Sequence, residues 1–152
     1  MRSLILLFMF VALSSYADEG CKVVNGFDLC SDAKIIAENT SKDIGTRIAG
    51  SEYILRSAVA EKMKVISSYE SIYTEEEVRS KIKQLIARNM EESSTIDEKH
   101  AAILKLSTQR LCNGYKNDEF VRDGGSFEII YRYRGGKIFH RVLVERGSCR
   151  AI

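Results

Sequence analysis

Proline is absent from the 152 residues, so no position carries the residue that most firmly breaks a helix or stiffens a linker. Low-complexity tracts and internal repeats are missing too, and nothing in the sequence divides the chain. Histidine is scarce, with only His100 and His140 present. Neither stands at the short spacing to a second ligand that zinc sites show. An excess of one charge is also lacking: 23 Lys and Arg oppose 21 Asp and Glu. That balance supplies no electrostatic footprint for nucleic acid as the main ligand.

One long apolar run exists, at the start. Residues 1–17, MRSLILLFMFVALSSYA, combine a basic Arg2, an apolar stretch from Leu4 to Leu13 and the small-residue site Ser15-Tyr16-Ala17, the three parts of a secretory signal. The run is too short for the roughly 20 residues that cross a bilayer, and no second stretch approaches that length, so no stable membrane anchor is expected. Cleavage after Ala17 leaves residues 18–152, about 135 residues, the size of one domain that buries its own core. Cys21 raises the question of a lipid anchor. Asp18-Glu19-Gly20 place two charges where a lipid-attachment signal wants Leu and small residues, which argues against it.

Exported chains keep cysteines as disulfides, and the four here, Cys21, Cys30, Cys112 and Cys149, allow three pairings. In CKVVNGFDLC the Asn25-Gly26 pair predicts a two-residue hairpin turn, because both residues tolerate positive φ. Folding about it sets Val24 against Phe27, Val23 against Asp28 and Cys21 against Cys30. Cys112 then remains for Cys149. In the chain-entropy picture the small ring contributes roughly 2.6 kcal/mol and the large one roughly 3.8 kcal/mol. A metal site ranks behind this reading, since the spacing is Cys-x8-Cys, and a catalytic thiol ranks lower still in an oxidising compartment.

The cap-type start and the Ile35-Ile36 pair of residues 31–42 predict a short helix. Tyr53, Leu55 and Val59, then Met63 and Val65, alternate as in strands, predicted over 52–59 and 63–70, with a helix from Tyr53 to Ile66 as the rival. Thr74 with Glu77 and Thr95 with Glu98 are capping boxes. They predict helices over 75–91 and 96–112, broken at Ser93-Ser94. A polar passage, NGYKNDEFVRDGG, then leads to SFEIIYRYRGGKIFHRVLVERGSC. A two-residue turn at Gly135-Gly136 would pair Tyr133 with Ile138, Tyr131 with His140, Ile129 with Val142 and Phe127 with Val144 on a core face.

The opposite face would carry Arg132, Arg134, Lys137, Phe139 and Arg141, a cationic and apolar surface suited to an anionic partner. The plainer reading is a solvated outer face partly neutralised by Glu128 and Glu145. Catalytic patterns are sparse. No G-x-S-x-G or phosphate loop occurs. His140 falls on the predicted core face, where a structural imidazole bonded to Tyr131 or a carbonyl is the simpler expectation, and His100 should be exposed. Glu75, Glu76, Glu77, Asp118 and Glu119 could pair for glycoside cleavage, but acidic first turns ordinarily serve capping. Asn39-Thr40-Ser41 is a formal glycosylation sequon.

Cys112, a polar run, then Tyr131-Arg132-Tyr133 and a closing Cys149 resemble the quorum-sensing-regulated virulence factor family of small exported bacterial proteins, over about residues 100–149. The resemblance implies a compact α+β domain, export across the inner membrane and a Cys112–Cys149 bridge, with no catalytic residues to carry over. Taken together the residues predict a single α+β domain, an antiparallel sheet with a C-terminal hairpin packed on helices and stapled by disulfides. It would be periplasmic or secreted, need no cofactor, and act by binding a protein or envelope component. The alternatives are an inhibitor or immunity protein against a toxin or lytic enzyme, and a hydrolase using carboxylates.

Overall fold

Asn25 and Gly26 take φ of 53° and 85°, the left-handed values that a tight hairpin turn demands. They join β1 (Val23–Val24) to β2 (Phe27–Asp28) in the expected register. Cys21 and Cys30 meet as a disulfide across the hairpin, with Cα atoms 5.6 Å apart. The computed structural model describes residues 20–89 and 95–152; the signal and cleavage expectations, and the Ser93-Ser94 break, lie outside them. Asp28 ends β2 and caps α1 (Leu29–Ser41), its carboxylate accepting from Cys30 N at 2.9 Å. The helix therefore begins two residues before the predicted start. Leu29, Ala33 and Ala37 repeat every four residues along its buried side, and the two alanines let it lie close on the sheet.

β3 (Tyr53–Glu61) and β4 (Lys64–Ser71) form the predicted antiparallel pair. The strands form in place of the rival helix because β-branched and aromatic side chains pack well on a sheet, but a bulge between Leu55 and Ser57 shifts the predicted alternation, so that Leu55 and Ala58 are buried and Val59 is exposed. The two capping boxes hold as predicted: α2 (Glu75–Arg88) starts at Thr74 and α3 (Ile96–Tyr115) at Thr95, each with reciprocal hydroxyl and carboxylate bonds. The polar passage folds into a further short helix, α4 (Glu119–Asp123), capped by Asp118 and ended by the left-handed Gly124. Any Cβ at Gly125 would run into the Phe120 ring, so the chain can pass there only as glycine.

β5 (Ser126–Arg132), β6 (Ile138–Glu145) and β7 (Ser148–Ala151) complete a sheet of order β3-β4-β5-β6-β7. β7 was not expected. The sheet is mixed rather than wholly antiparallel, because three helices carry the chain from β4 back to its starting edge and β5 enters parallel to β4. The α+β class stands. Val65, Phe127, Val142 and Val144 meet Leu29, Ala33, Phe120 and Val121 in one core. Each large apolar side chain taken fully from water there contributes about 1.5–3 kcal/mol. The second disulfide, Cys112–Cys149, has Cα atoms 5.7 Å apart and ties α3 to β7.

Candidate functional site

The predicted turn at Gly135-Gly136 is longer than expected, and the difference decides where the proposed binding residues go. Tyr133 N donates to Lys137 O at 2.9 Å and Gly136 N to Tyr133 O at 2.9 Å. Three residues, Arg134-Gly135-Gly136, thus make the loop, with the two glycines at φ of 103° and 90°. The extra residue is taken up in β6. Phe127↔Val144, Ile129↔Val142 and Tyr131↔His140 pair as predicted, but Arg132 rather than Tyr133 faces Ile138, leaving Phe139 in a bulge.

Phe139 therefore leaves the outer face. Its ring stacks on Tyr133 at 4.4 Å between centroids and lies 6.5 Å from Tyr53 and 6.2 Å from His100. Ile138 takes the exposed place instead. The four cations of the predicted surface are engaged within the chain. Arg141 and Lys64 both reach the buried carboxylate of Glu128, Lys64 at 3.3 Å. Arg134 makes two bonds of 3.0 Å to Glu77, and Lys137 pairs with Glu75. Arg132 donates to Ser68 Oγ at 3.1 Å and to the Gly136 carbonyl at 2.9 Å. Of the five residues, Phe139 alone is turned away by the bulge, while Arg134, Lys137 and Arg141 keep much of their side chains exposed beside their partners.

His140 lies on the core side as predicted, but its partner is the Thr108 hydroxyl at 2.8 Å, not Tyr131 or a carbonyl. That hydroxyl spends its hydrogen on Leu104 O at 3.0 Å, so its oxygen accepts from His140 Nε2–H. Burial lowers the His140 pKa, and His100 lowers it further. His100, expected in solvent, is half-buried beside Phe139 and Tyr133. Its own pKa is lowered by burial and by Arg79.

Of the five candidate carboxylates, Glu75, Glu77, Asp118 and Glu119 are likewise engaged within the chain. Glu77 is held below the usual range, first by the Thr74 backbone amide and then by the Thr74 hydroxyl and Arg134. Burial pushes Glu128 up, but its hydrogen bonds from Arg141 and Lys64 prevail and hold it low. Glu98 is lowered by its capping amide. Asp118 caps α4 at 3.0 Å, and Glu119 pairs with Arg122 at 3.2 Å. Cys21, Cys30 and Asp28 place their ligand atoms within 4.8 Å of one another, but the two sulfurs are joined to each other and offer no thiolate. The same bond leaves no Cys21 sulfur for a lipid.

One concavity gathers apolar side chains from three directions. Tyr53 and Phe139 come from the sheet, Val78, Ile82 and Leu85 from α2, and Ile103 and Leu104 from α3, around a groove of about 300 Å³. Ile82 is buried, whereas Leu85 and Ile103 keep 38% and 36% of their surface exposed. Over its twenty residues α3 buries no side chain fully. Glu52 and Lys81 stand at the rim 3.7 Å apart, and Lys81 Nζ sits 3.9 Å from the Tyr73 ring centre. In sequence these side chains read as two ordinary core-facing helical stripes. Nothing in their spacing says that α2 covers α3 incompletely, and the Phe139 wall depends on a bulge the alternation does not announce.

The fold and groove define a small disulfide-stapled α+β domain with helices gathered on one face of a five-stranded sheet. No known protein family matches the chain, and no curated protein does. Among solved structures it is similar to the pilotin EpsS of the Vibrio vulnificus type 2 secretion system, with a TM-score of 0.54 and 13% identity over 80% of this chain and 92% of that one. A second, looser match is the type II secretion system pilotin AspS from Vibrio cholerae, with a TM-score of 0.40 and 17% identity over the same shares. The first likeness is one of fold. Among the described residues no helix is long and apolar enough to cross a membrane.

Proposed function

We propose that this chain is a non-enzymatic docking protein of the bacterial envelope, pilotin-like in role, and that its α2–α3 groove receives an apolar segment of a secretion-machine component. The observation that carries the reading is the groove itself, where Leu85, Ile103 and Phe139 line one concavity and stay incompletely covered by their own fold. Concave apolar surface with a charged rim is what a docking helix or strand needs. Two disulfides suit an oxidising compartment, and Cys112–Cys149 fastens α3, one wall of the groove, to the sheet before binding, which lowers the ordering cost of association. The shared fold with a type 2 secretion pilotin supports the same role.

A hydrolase receives less support. General acid work at a glycosidic bond wants a carboxyl with a raised pKa, and the described carboxylates that shift, Glu77, Glu98 and Glu128, all shift downward. The resemblance to the quorum-sensing-regulated virulence factor family agrees with an exported binding domain and adds the suggestion of a virulence role. Export by the segment 1–17 is part of the same proposal.

The test is to co-express the chain with the envelope components of the type 2 secretion system of its host and recover complexes through either partner. A Leu85→Glu, Ile103→Glu variant, checked for native secondary structure, should recover at least about tenfold less partner, as expected when charges enter a desolvated apolar centre. Recovery equal to that of the native chain would remove the groove from the account.

A further inference from the structure

The disulfide-closed hairpin at the start of the described chain is heavily restrained for so small a piece. It has a left-handed two-residue turn, a covalent bridge and a helix cap at Asp28. These restraints do not serve to bury Phe27. That ring keeps 62% of its surface exposed, and Ile35, nearly two helical turns into α1, keeps 52%. Both open onto a concavity of about 300 Å³ whose floor is Leu29 and Phe120. A rigid mount that holds an aromatic ring out of the core is the arrangement of a preorganised contact.

The rim of this concavity is acidic. Asp32, Glu119 and Asp123 surround it, and Arg122 answers only the last two, at 3.2 Å and 3.8 Å. The Asp32 carboxylate has no hydrogen bond or ion pair among the described residues. A membrane surface, which is anionic where it attracts proteins, would meet three carboxylates here. A peptide with a basic residue beside a large apolar one meets both requirements: the apolar side chain covers Phe27 and Ile35 while the cation reaches Asp32.

We propose that the Phe27–Ile35 concavity is a second docking site, taking a protein segment in which a large apolar side chain is flanked by Lys or Arg. It shares no residue with the α2–α3 groove. The proposal goes beyond the function inferred for that groove and does not depend on it.

The experiment uses the chain with both disulfides intact and fluorescent peptides in which one Leu is flanked by lysines, one Leu is flanked by glutamates, or Ala replaces Leu among lysines. Fluorescence polarisation should give the lysine–leucine peptide an affinity at least about tenfold above either control. Phe27→Ser should weaken it more than about tenfold and Asp32→Asn about three- to tenfold, because the first removes the apolar anchor and the second the charge partner. Phe27 is exposed and Asp32 partly so, and circular dichroism checks that the variants fold. Equal binding of the three peptides, no binding, or indifference to both substitutions would overturn the proposal. Phe27-dependent sedimentation with phosphatidylglycerol vesicles in place of peptide binding would overturn it in favour of a membrane contact. Loss of peptide binding in Leu85→Glu, with Phe27→Ser unaffected, would move the peptide to the other groove, refuting this site and leaving that one standing.

Discussion

Replacing Arg141 by methionine should destabilise the protein by about 2 kcal/mol, and the figure follows from where Glu128 sits. The Glu128 side chain is 6% exposed in the middle strand of the sheet, with Lys64 reaching it from β4 and Arg141 from β6. Stranding one member of a buried ion pair costs roughly 3–5 kcal/mol. The loss here should be smaller, since Lys64 still answers the carboxylate and both cations are partly in water. For a domain of this size 2 kcal/mol lowers Tm by roughly 5–10 °C. Glu128→Gln alone should cost less than Arg141→Met, because it removes the charge that needs compensation. The double variant should regain part of the loss, giving a coupling of about 1 kcal/mol or more in the mutant cycle. The pH dependence has a fixed sign: Glu128 is held below its ordinary 4.5, so its contribution is present above that value and is lost as pH falls through the lower folded pKa. Thermal melts of the four proteins from pH 7 to pH 3 supply the measurement. Additive Tm changes, or an Arg141→Met melt within about 1 °C of native, would refute the reasoning.

Two further predictions rest on single residues. Phe139→Ala should cost about 2 kcal/mol, below the 3–5 of a fully buried aromatic because the ring is half-covered, whereas Ile138→Ala should cost under about 1 kcal/mol; urea melts that reverse this order would contradict the bulge. Stability should also decline as pH falls below 6.5, the ordinary histidine value, because the unfolded chain protonates there while burial keeps His140 and His100 neutral. The slope approaches about 1.4 kcal/mol per pH unit for each such imidazole until the folded forms protonate too. His140→Gln should keep only the share of His100, and an unchanged slope would deny His140 its lowered pKa.

The hairpin shows where the sequence speaks and where it stops. The period-two alternation from Phe127 to Tyr131 was enough to fix three cross-strand pairs, because burial of one face penalises any slip. It could not distinguish a two-residue Gly135-Gly136 turn from a three-residue loop compensated by a bulge, since both leave those three pairs intact. The choice decides on which side Phe139 lies. Asn25-Gly26 gave its register fully, as the turn and the disulfide agree. Capping boxes announced both long helices through side chains that act within one turn. Two elements escaped. α4 has only five residues and little periodicity to display, and β7 follows a tight Gly147 turn so closely that Cys149 read as the end of the preceding strand. The pairings of Lys137 and Arg134 were not legible because their partners Glu75 and Glu77 lie about sixty positions earlier.

The docking reading is tested most directly by placing a photoreactive amino acid in turn at Leu85, at Ile103 and at Arg132, then irradiating cells that carry the complete secretion machinery. Crosslinks to one envelope component from positions 85 and 103, with none from 132, are the expected result. Crosslinks confined to position 132 would put the interface on the outer sheet face and contradict the account.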